Sequence, residues 1–181
     1  CATGWAGTTP ASRYNGQALD RERFTMSPTA RILQRLELLT DSVRGTERDG
    51  AALADDPRIR ARLARLHTEA EVARVMGLKF VAEAVKVEAG HREGRQGFQP
   101  PTVEASEYKL FATELSKRIA DAAMDIGGPG SQLRVNTADA PMRGRSESTY
   151  RYTVIDTIGG GASEIQKNII ARRGLGLPKN F

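Results

Sequence analysis

Two glycine clusters stand at helix boundaries in this sequence, GGPG at 127–130 and GGGASEIQ at 159–166. A glycine loop beside a helix bares backbone N–H groups. Where it opens the helix it also presents the positive end of the helix dipole, which suits a phosphate. Each cluster is equally compatible with a plain helix cap. Neither is a Walker loop, since no Gly-Lys-Ser/Thr follows, and neither follows a strand as a dinucleotide loop would. Other chemistry-bearing residues are sparse. Cys1 is the single cysteine and has no internal disulfide partner, and His67 and His91 lie in unrelated contexts that make no metal site. Arginine outnumbers lysine 21 to 6 within a net charge of +5, so the basicity is guanidinium, suited to bidentate anion contacts.

These residues are carried by helices. From about Leu19 the character of the sequence changes; Ile32, Leu33, Leu36, Leu39 and Val43 recur at helical spacing, with Ser27-Pro28 capping or bending the start of that helix. Asp56-Pro57 is an N-cap followed by proline at the first helical position. From there Ile59, Leu63, Leu66, Ala70, Ala73, Gly77, Phe80, Ala84 and Val87 step by four and three, a seam along about eight turns, roughly 45 Å. Its middle is small, so another helix can approach closely, and Arg58, Arg60, Arg62 and Arg65 belong to wet faces. Gly90 to Pro101 breaks the pattern. A third helix starts near Thr102 and packs through Tyr108, Phe111, Leu115, Ile119, Ala122 and Ile126. A fourth spans about 145–157, and a last one runs from after Gly161 to Arg173.

The 181 residues make one domain, 39% hydrophobic and 27% charged, which excludes a disordered chain, a collagen-like fibre and a disulfide scaffold. No apolar run approaches the roughly 18 residues of a membrane span. No β-alternation of useful length or internal repeat is present, so the expected fold is an all-α, up-and-down helical bundle. Residues 1–18 read as a loop or arm. Cys1 in place of Met, without a signal-peptide pattern, suggests a processed chain or a piece of a longer one.

The stretch IDTIGGGASEIQKNIIARRGLGLPKNF, residues 155–181, resembles the C-terminal end of acyl-CoA dehydrogenases. YKLFATELSKRIADAAMDIGGPG, residues 108–130, resembles that family's long helix and its Gly-Gly-x-Gly loop, and LDRERF, residues 19–24, the start of its first bundle helix. The resemblance covers about 20 to 181 and implies the family's helical C-terminal domain over 19–181. It also implies FAD as cofactor, an acyl-CoA substrate and α,β-dehydrogenation of the thioester: a glutamate takes the α-proton and the β-hydrogen leaves as hydride to the flavin. Electron-transfer flavoprotein is the implied electron acceptor, a homo- or hetero-tetramer the implied assembly, and the bacterial cytoplasm or mitochondrial matrix the implied location.

Most members of that family carry the base at the position matched here by Gly160. Isovaleryl- and long-chain-type members carry it in a Leu-x-x-Glu-Arg pattern on the first bundle helix, matched by Leu19-Asp20-Arg21-Glu22-Arg23. The resemblance therefore implies Glu22 as the base, against the plainer reading of a solvated first-turn glutamate. Asp20 and Arg23 match positions lining the acyl-CoA site. The Gly160 backbone N–H matches a donor that polarises the thioester carbonyl. Arg48 matches an arginine on the flavin pyrophosphate across the dimer, Gly127 and Gly128 the loop at the flavin adenosine, and Ala162 and Glu164 the start of a helix facing flavin.

Two positions depart from the pattern. Met124 stands where many members have a flavin-bonding glutamine, and Ala51 falls near a usual aromatic residue. Two other readings stay open: a non-catalytic structural subunit of a hetero-oligomeric dehydrogenase, and a basic helical module binding nucleic acid through Arg58 to Arg74, which lacks aromatic interleaving. The family's N-terminal helical and middle β-domains have no counterpart in these residues, so the chain alone is expected to bind flavin poorly.

Overall fold

The computed structural model describes residues 22–25, 28–95, 97 and 99–178. Five helices dominate them: α1 (Thr29–Arg44), α2 (Pro57–Arg92), α3 (Thr102–Gly127), α4 (Arg145–Asp156) and α5 (Ser163–Ile169). A π-helical turn, Ile170–Gly174, extends α5. The all-α bundle read from the sequence is the observed fold, and among the described residues no helix is long and apolar enough to cross a membrane. Residues 1–21, which include Asp20 and the expected arm, lie outside the described residues.

The caps explain the boundaries. Pro28 takes the N-cap position of α1 with extended backbone, so α1 begins at Thr29, and residues 22–25 form a separate helical turn before it. The Asp56 carboxylate accepts from the N–H groups of Arg58 and Ile59 and starts α2. That helix has 36 residues, about 54 Å at 1.5 Å per residue. It is longer than the seam suggested because Gly90 is buried inside it and does not end it.

The core forms where α1, α2 and α3 meet: Ile32, Leu36 and Leu39 from α1, Leu66 and Ala70 from α2, and Leu115 and Ile119 from α3 are all at least 96% buried. The small seam on α2 has a purpose visible in its neighbours. A Cβ on Gly77 would stand 3.2 Å from the Tyr108 ring and 3.5 Å from Phe24. Phe24 stacks on Phe80 (centroids 5.0 Å apart) and tilts against Tyr108 (4.9 Å), whose hydroxyl meets Thr29 Oγ1 at 3.0 Å. This aromatic cluster fastens the 22–25 turn to the bundle. The arginine-rich start of α2 is matched by carboxylates: Arg62 to Asp125 at 2.8 Å, Arg65 to Glu69 at 3.1 Å, Arg74 to Glu71 at 2.7 Å.

Candidate functional site

The geometry brings Glu22–Arg23 and the glycine loop 159–161 together across 137 residues of sequence. Arg23 is 8% exposed, and its Nε donates to the Gly160 carbonyl at 3.4 Å. Glu22, one residue before it, is exposed at the head of the turn, and its carbonyl accepts from Thr25 Oγ1 at 3.0 Å. Gly160 and Gly161 both have positive φ, +64° and +98°. That backbone disfavours a side chain at 160. Ala162 precedes α5 and is half-buried, whereas Glu164 is exposed on its first turn.

Beneath the loop lies a polar cluster that the sequence reading left unassigned. Lys109 is fully buried, and its ammonium donates to the carbonyls of Gly161 (2.8 Å) and Thr157 (3.4 Å). Gln166, also fully buried, donates from Nε2 to Gly160 (3.0 Å) and Gly161 (2.9 Å). Ser163 Oγ donates to Glu114 at 2.8 Å, joining α5 to α3. The signal that could have found Lys109 is a second stripe on α3, Lys109, Thr113, Ser116 and Ala120. All four are buried, and they share the face that Lys109 turns toward the loop. Thr113 satisfies its own hydroxyl on the Lys109 carbonyl at 2.8 Å.

Asp156, the last residue of α4, is fully buried, and its carboxylate lies 3.8 Å from Arg35 Nη1. That is an ion pair beyond hydrogen-bond distance. Burial pushes the Asp156 carboxyl above the usual carboxylate range, opposed by Arg35, Arg31 and Lys109. Burial pulls the Lys109 ammonium below its ordinary value, opposed by Asp156 and Glu114. A carboxyl raised on folding contributes stability that is fully present below about pH 4 and is lost as pH rises through its folded value. The wild-type protein is therefore expected to lose stability relative to Asp156→Asn as pH rises from 4 toward neutrality. Urea midpoints of both proteins across that range check the sign, and a constant difference would contradict it.

The other predicted residues gather at a second place. Arg48 stands one residue before a tight two-residue turn in a small hairpin of β1 (Glu47–Arg48) and β2 (Ala51–Ala52). Asp49 and Gly50 at the turn both have positive φ, the backbone that an Asp-Gly pair adopts readily. From the sequence alone, Gly45 to Gly50 reads only as punctuation at the end of the first helix. The Arg48 guanidinium donates to the Ile126 carbonyl, and a Cβ on Gly128 would lie 3.5 Å from it. Arg48, Gly127 and Gly128 thus form one edge, with Gly128 at φ +66°, ψ −158°, a conformation left to glycine. Met124 is half-buried one turn earlier on α3 and offers a thioether there in place of an amide. About 27 Å of helix separates Lys109, under the first site, from Gly127 in the second. A guanidinium beside side-chain-free backbone fits the anionic pyrophosphate of a dinucleotide, so this edge suits FAD's phosphates.

An all-α bundle with these two glycine loops defines the C-terminal domain of a known flavoenzyme class. The family description "Acyl-CoA dehydrogenase, C-terminal domain" matches residues 13–175. The chain belongs to the acyl-CoA dehydrogenase family. It is 32% identical over 162 residues to acyl-CoA dehydrogenase FadE26 of Mycobacterium tuberculosis, covering 89% of this chain and 38% of that protein. Acyl-CoA dehydrogenase IpdE1 of the same organism is 37% identical over 129 residues, covering 71% of this chain and 29% of that protein. Among solved structures, the ChsE4-ChsE5 complex of M. tuberculosis superposes with a TM-score of 0.74 at 29% identity, covering 95% of this chain and 41% of that one. The chain thus spans about two fifths or less of the length of these relatives.

Proposed function

We propose that the chain is the C-terminal, catalytic-base-bearing bundle of a FAD-dependent acyl-CoA dehydrogenase, with residues 19–181 as that domain. The observation that carries this reading is the contact of Arg23 with Gly160, 3.4 Å between groups 137 residues apart. It sets the Glu22 turn against the loop whose own side chain is missing. In the proposed reaction the Gly160 N–H donates to the thioester carbonyl, which acidifies the α-carbon, and the Glu22 carboxylate takes the α-proton. Asp20 and Arg23 line the acyl-CoA site, and Ala162 and Glu164 border the flavin on the α5 side. When bound, the flavin supplies the acceptor for the β-hydride. Arg48, Gly127, Gly128 and Met124 serve a flavin at the far edge. Because that edge is remote from Glu22, the flavin it holds belongs to the active site of a neighbouring subunit.

Two exposed apolar faces support assembly. Val72, Val75, Leu78, Val81 and Val85 line the outside of α2, each at least 43% exposed, and Ile155, Ile158 and Ile165 line the C-terminal side. We assign a tetramer, with electron-transfer flavoprotein as the external oxidant. A second reading keeps the family and drops catalysis. The heteromeric ChsE4-ChsE5 relative, together with Met124 and Ala51, favours a subunit that completes another chain's flavin site.

The test is anaerobic addition of acyl-CoA thioesters to the complete, flavin-loaded assembly. Bleaching of the flavin is expected, and a loaded assembly that no acyl-CoA reduces would rule out the enzymatic reading. Arg48→Ala is expected to weaken flavin retention by roughly tenfold, the scale of one charge-assisted hydrogen bond. The flavin-to-protein ratio after gel filtration reads it.

A further inference from the structure

Three carbonyls of the 157–161 loop, those of Thr157, Gly160 and Gly161, accept from buried side chains. Lys109 takes Thr157 and Gly161, Gln166 takes Gly160 and Gly161, and Arg23 takes Gly160. Among the described residues no protein group accepts from the N–H of Gly160 or Gly161. The pinned carbonyls belong to the 157–158, 160–161 and 161–162 peptides, which bracket the 159–160 peptide carrying the Gly160 N–H and fix the chain on both sides of it. Gly160 and Gly161 have positive φ and no side chain of their own, so the direction of the Gly160 N–H depends on what holds the chain around it.

We propose that Lys109 is a positioning residue for thioester recognition. Its buried ammonium, clamping the Thr157 and Gly161 carbonyls, orients the Gly160 N–H toward the substrate carbonyl. This rests on the reading of Gly160 as the carbonyl donor and extends it to a residue on another helix that touches neither substrate nor flavin.

The choice of an ammonium follows from the site. One Nζ has three donors on a tetrahedral centre and can grip two carbonyls at once, with a proton left over. Gln166 grips the same loop from the C-terminal side, so the loop is held at both of its ends. Asp156 and Glu114 nearby balance the charge, which favours the protonated amine that the clamp requires. A methionine would fill the volume of Lys109 and leave the Thr157 carbonyl to the Ser163 N–H and the Gly161 carbonyl to Gln166, which releases the link between the two ends of the loop.

The experiment uses the complete flavin-loaded assembly and two non-reacting probes that differ at one atom. One is an acyl-CoA thioester analogue that cannot be oxidised, and the other is the matching thioether, which lacks the carbonyl oxygen. Dissociation constants are measured for wild type, Lys109→Met and Lys109→Arg. Wild type is expected to prefer the thioester by about tenfold, the scale of a well-aligned hydrogen bond in a dry site. Lys109→Met is expected to reduce that preference to about twofold while leaving thioether affinity unchanged. Lys109→Arg, which keeps donors for the loop carbonyls, is expected to recover at least half of the lost preference on a logarithmic scale.

A merely structural role would lower both affinities together or shift the melting temperature without changing their ratio. That outcome overturns the assignment of Lys109. A wild-type protein indifferent to the carbonyl would instead overturn the reading of Gly160, and the inference with it. Should Lys109→Met fail to fold, Lys109→Gln serves in its place. Its shorter side chain carries one amide nitrogen that cannot span both carbonyls, so a preference nearer twofold than tenfold is expected, and one equal to wild type's overturns the clamp.

Discussion

Replacing Glu22 by glutamine in the complete, flavin-loaded protein is expected to lower turnover by about 10²–10⁴-fold, the usual contribution of a positioned general base. Glutamine keeps the shape and loses the lone-pair basicity, so acyl-CoA affinity should change little and the loss should fall on kcat. Steady-state kinetics with stopped-flow flavin reduction separates the two. Unchanged reduction by Glu22→Gln in a flavin-loaded assembly would sink the assignment. The backbone argues in its favour. Gly160 sits at φ +64°, where a side chain is strained, so this loop is poorly suited to carry the carboxylate itself. Glu22 has the converse placement, an ordinary helical turn whose next residue contacts that loop.

The largest effect on stability is expected at Gly144. It caps α4 with φ +73°, and a Cβ there would stand 2.4 Å from the backbone of Arg134 and Val135. Neither can retreat as a flexible side-chain end would, because both contacts are main chain. Left-handed backbone on a non-glycine residue and forced overpacking each cost on the order of 1–3 kcal/mol, so Gly144→Ala should destabilise by about 3 kcal/mol or more. For a chain of this size that corresponds to a melting temperature roughly 6–12 °C lower. Calorimetry of the whole protein reads it, and a drop under about 2 °C would show that the 131–144 segment yields. Met142 and Arg143 also have positive φ just before Gly144, so the turn has no spare conformational slack.

Much of this was legible from local pattern. Asp56-Pro57 announced the start of the long helix because a carboxylate cap and a proline act within one turn of themselves. The seam from Leu63 to Phe80 announced its buried face, since apolar spacing repeats with the helix. Both glycine clusters marked real boundaries, and the family resemblance rested on contiguous motifs. Local pattern failed where its own rules end. Gly90, a helix breaker by propensity, is buried within α2, where tertiary packing outweighs a cost of about 1 kcal/mol. The Asp49-Gly50 pair reads by local pattern as punctuation, and in the fold it also defines the hairpin that carries Arg48.

The sequence by itself determined the helices, their apolar faces, the caps and the family. Only the tertiary structure decided which charges are buried. Lys109, Asp156 and Gln166 carry polar side chains that read as solvent-facing, and all three are fully buried. Their burial depends on carbonyls and charges supplied from elsewhere in the fold: Thr157 and Gly161 for Lys109 on α3, and Arg35 on α1 for Asp156 on α4. A helical period records which side of a segment avoids water. It carries no record of the distant groups that offset the cost of taking a polar side chain out of water, and the contact of Arg23 with Gly160 is of that kind.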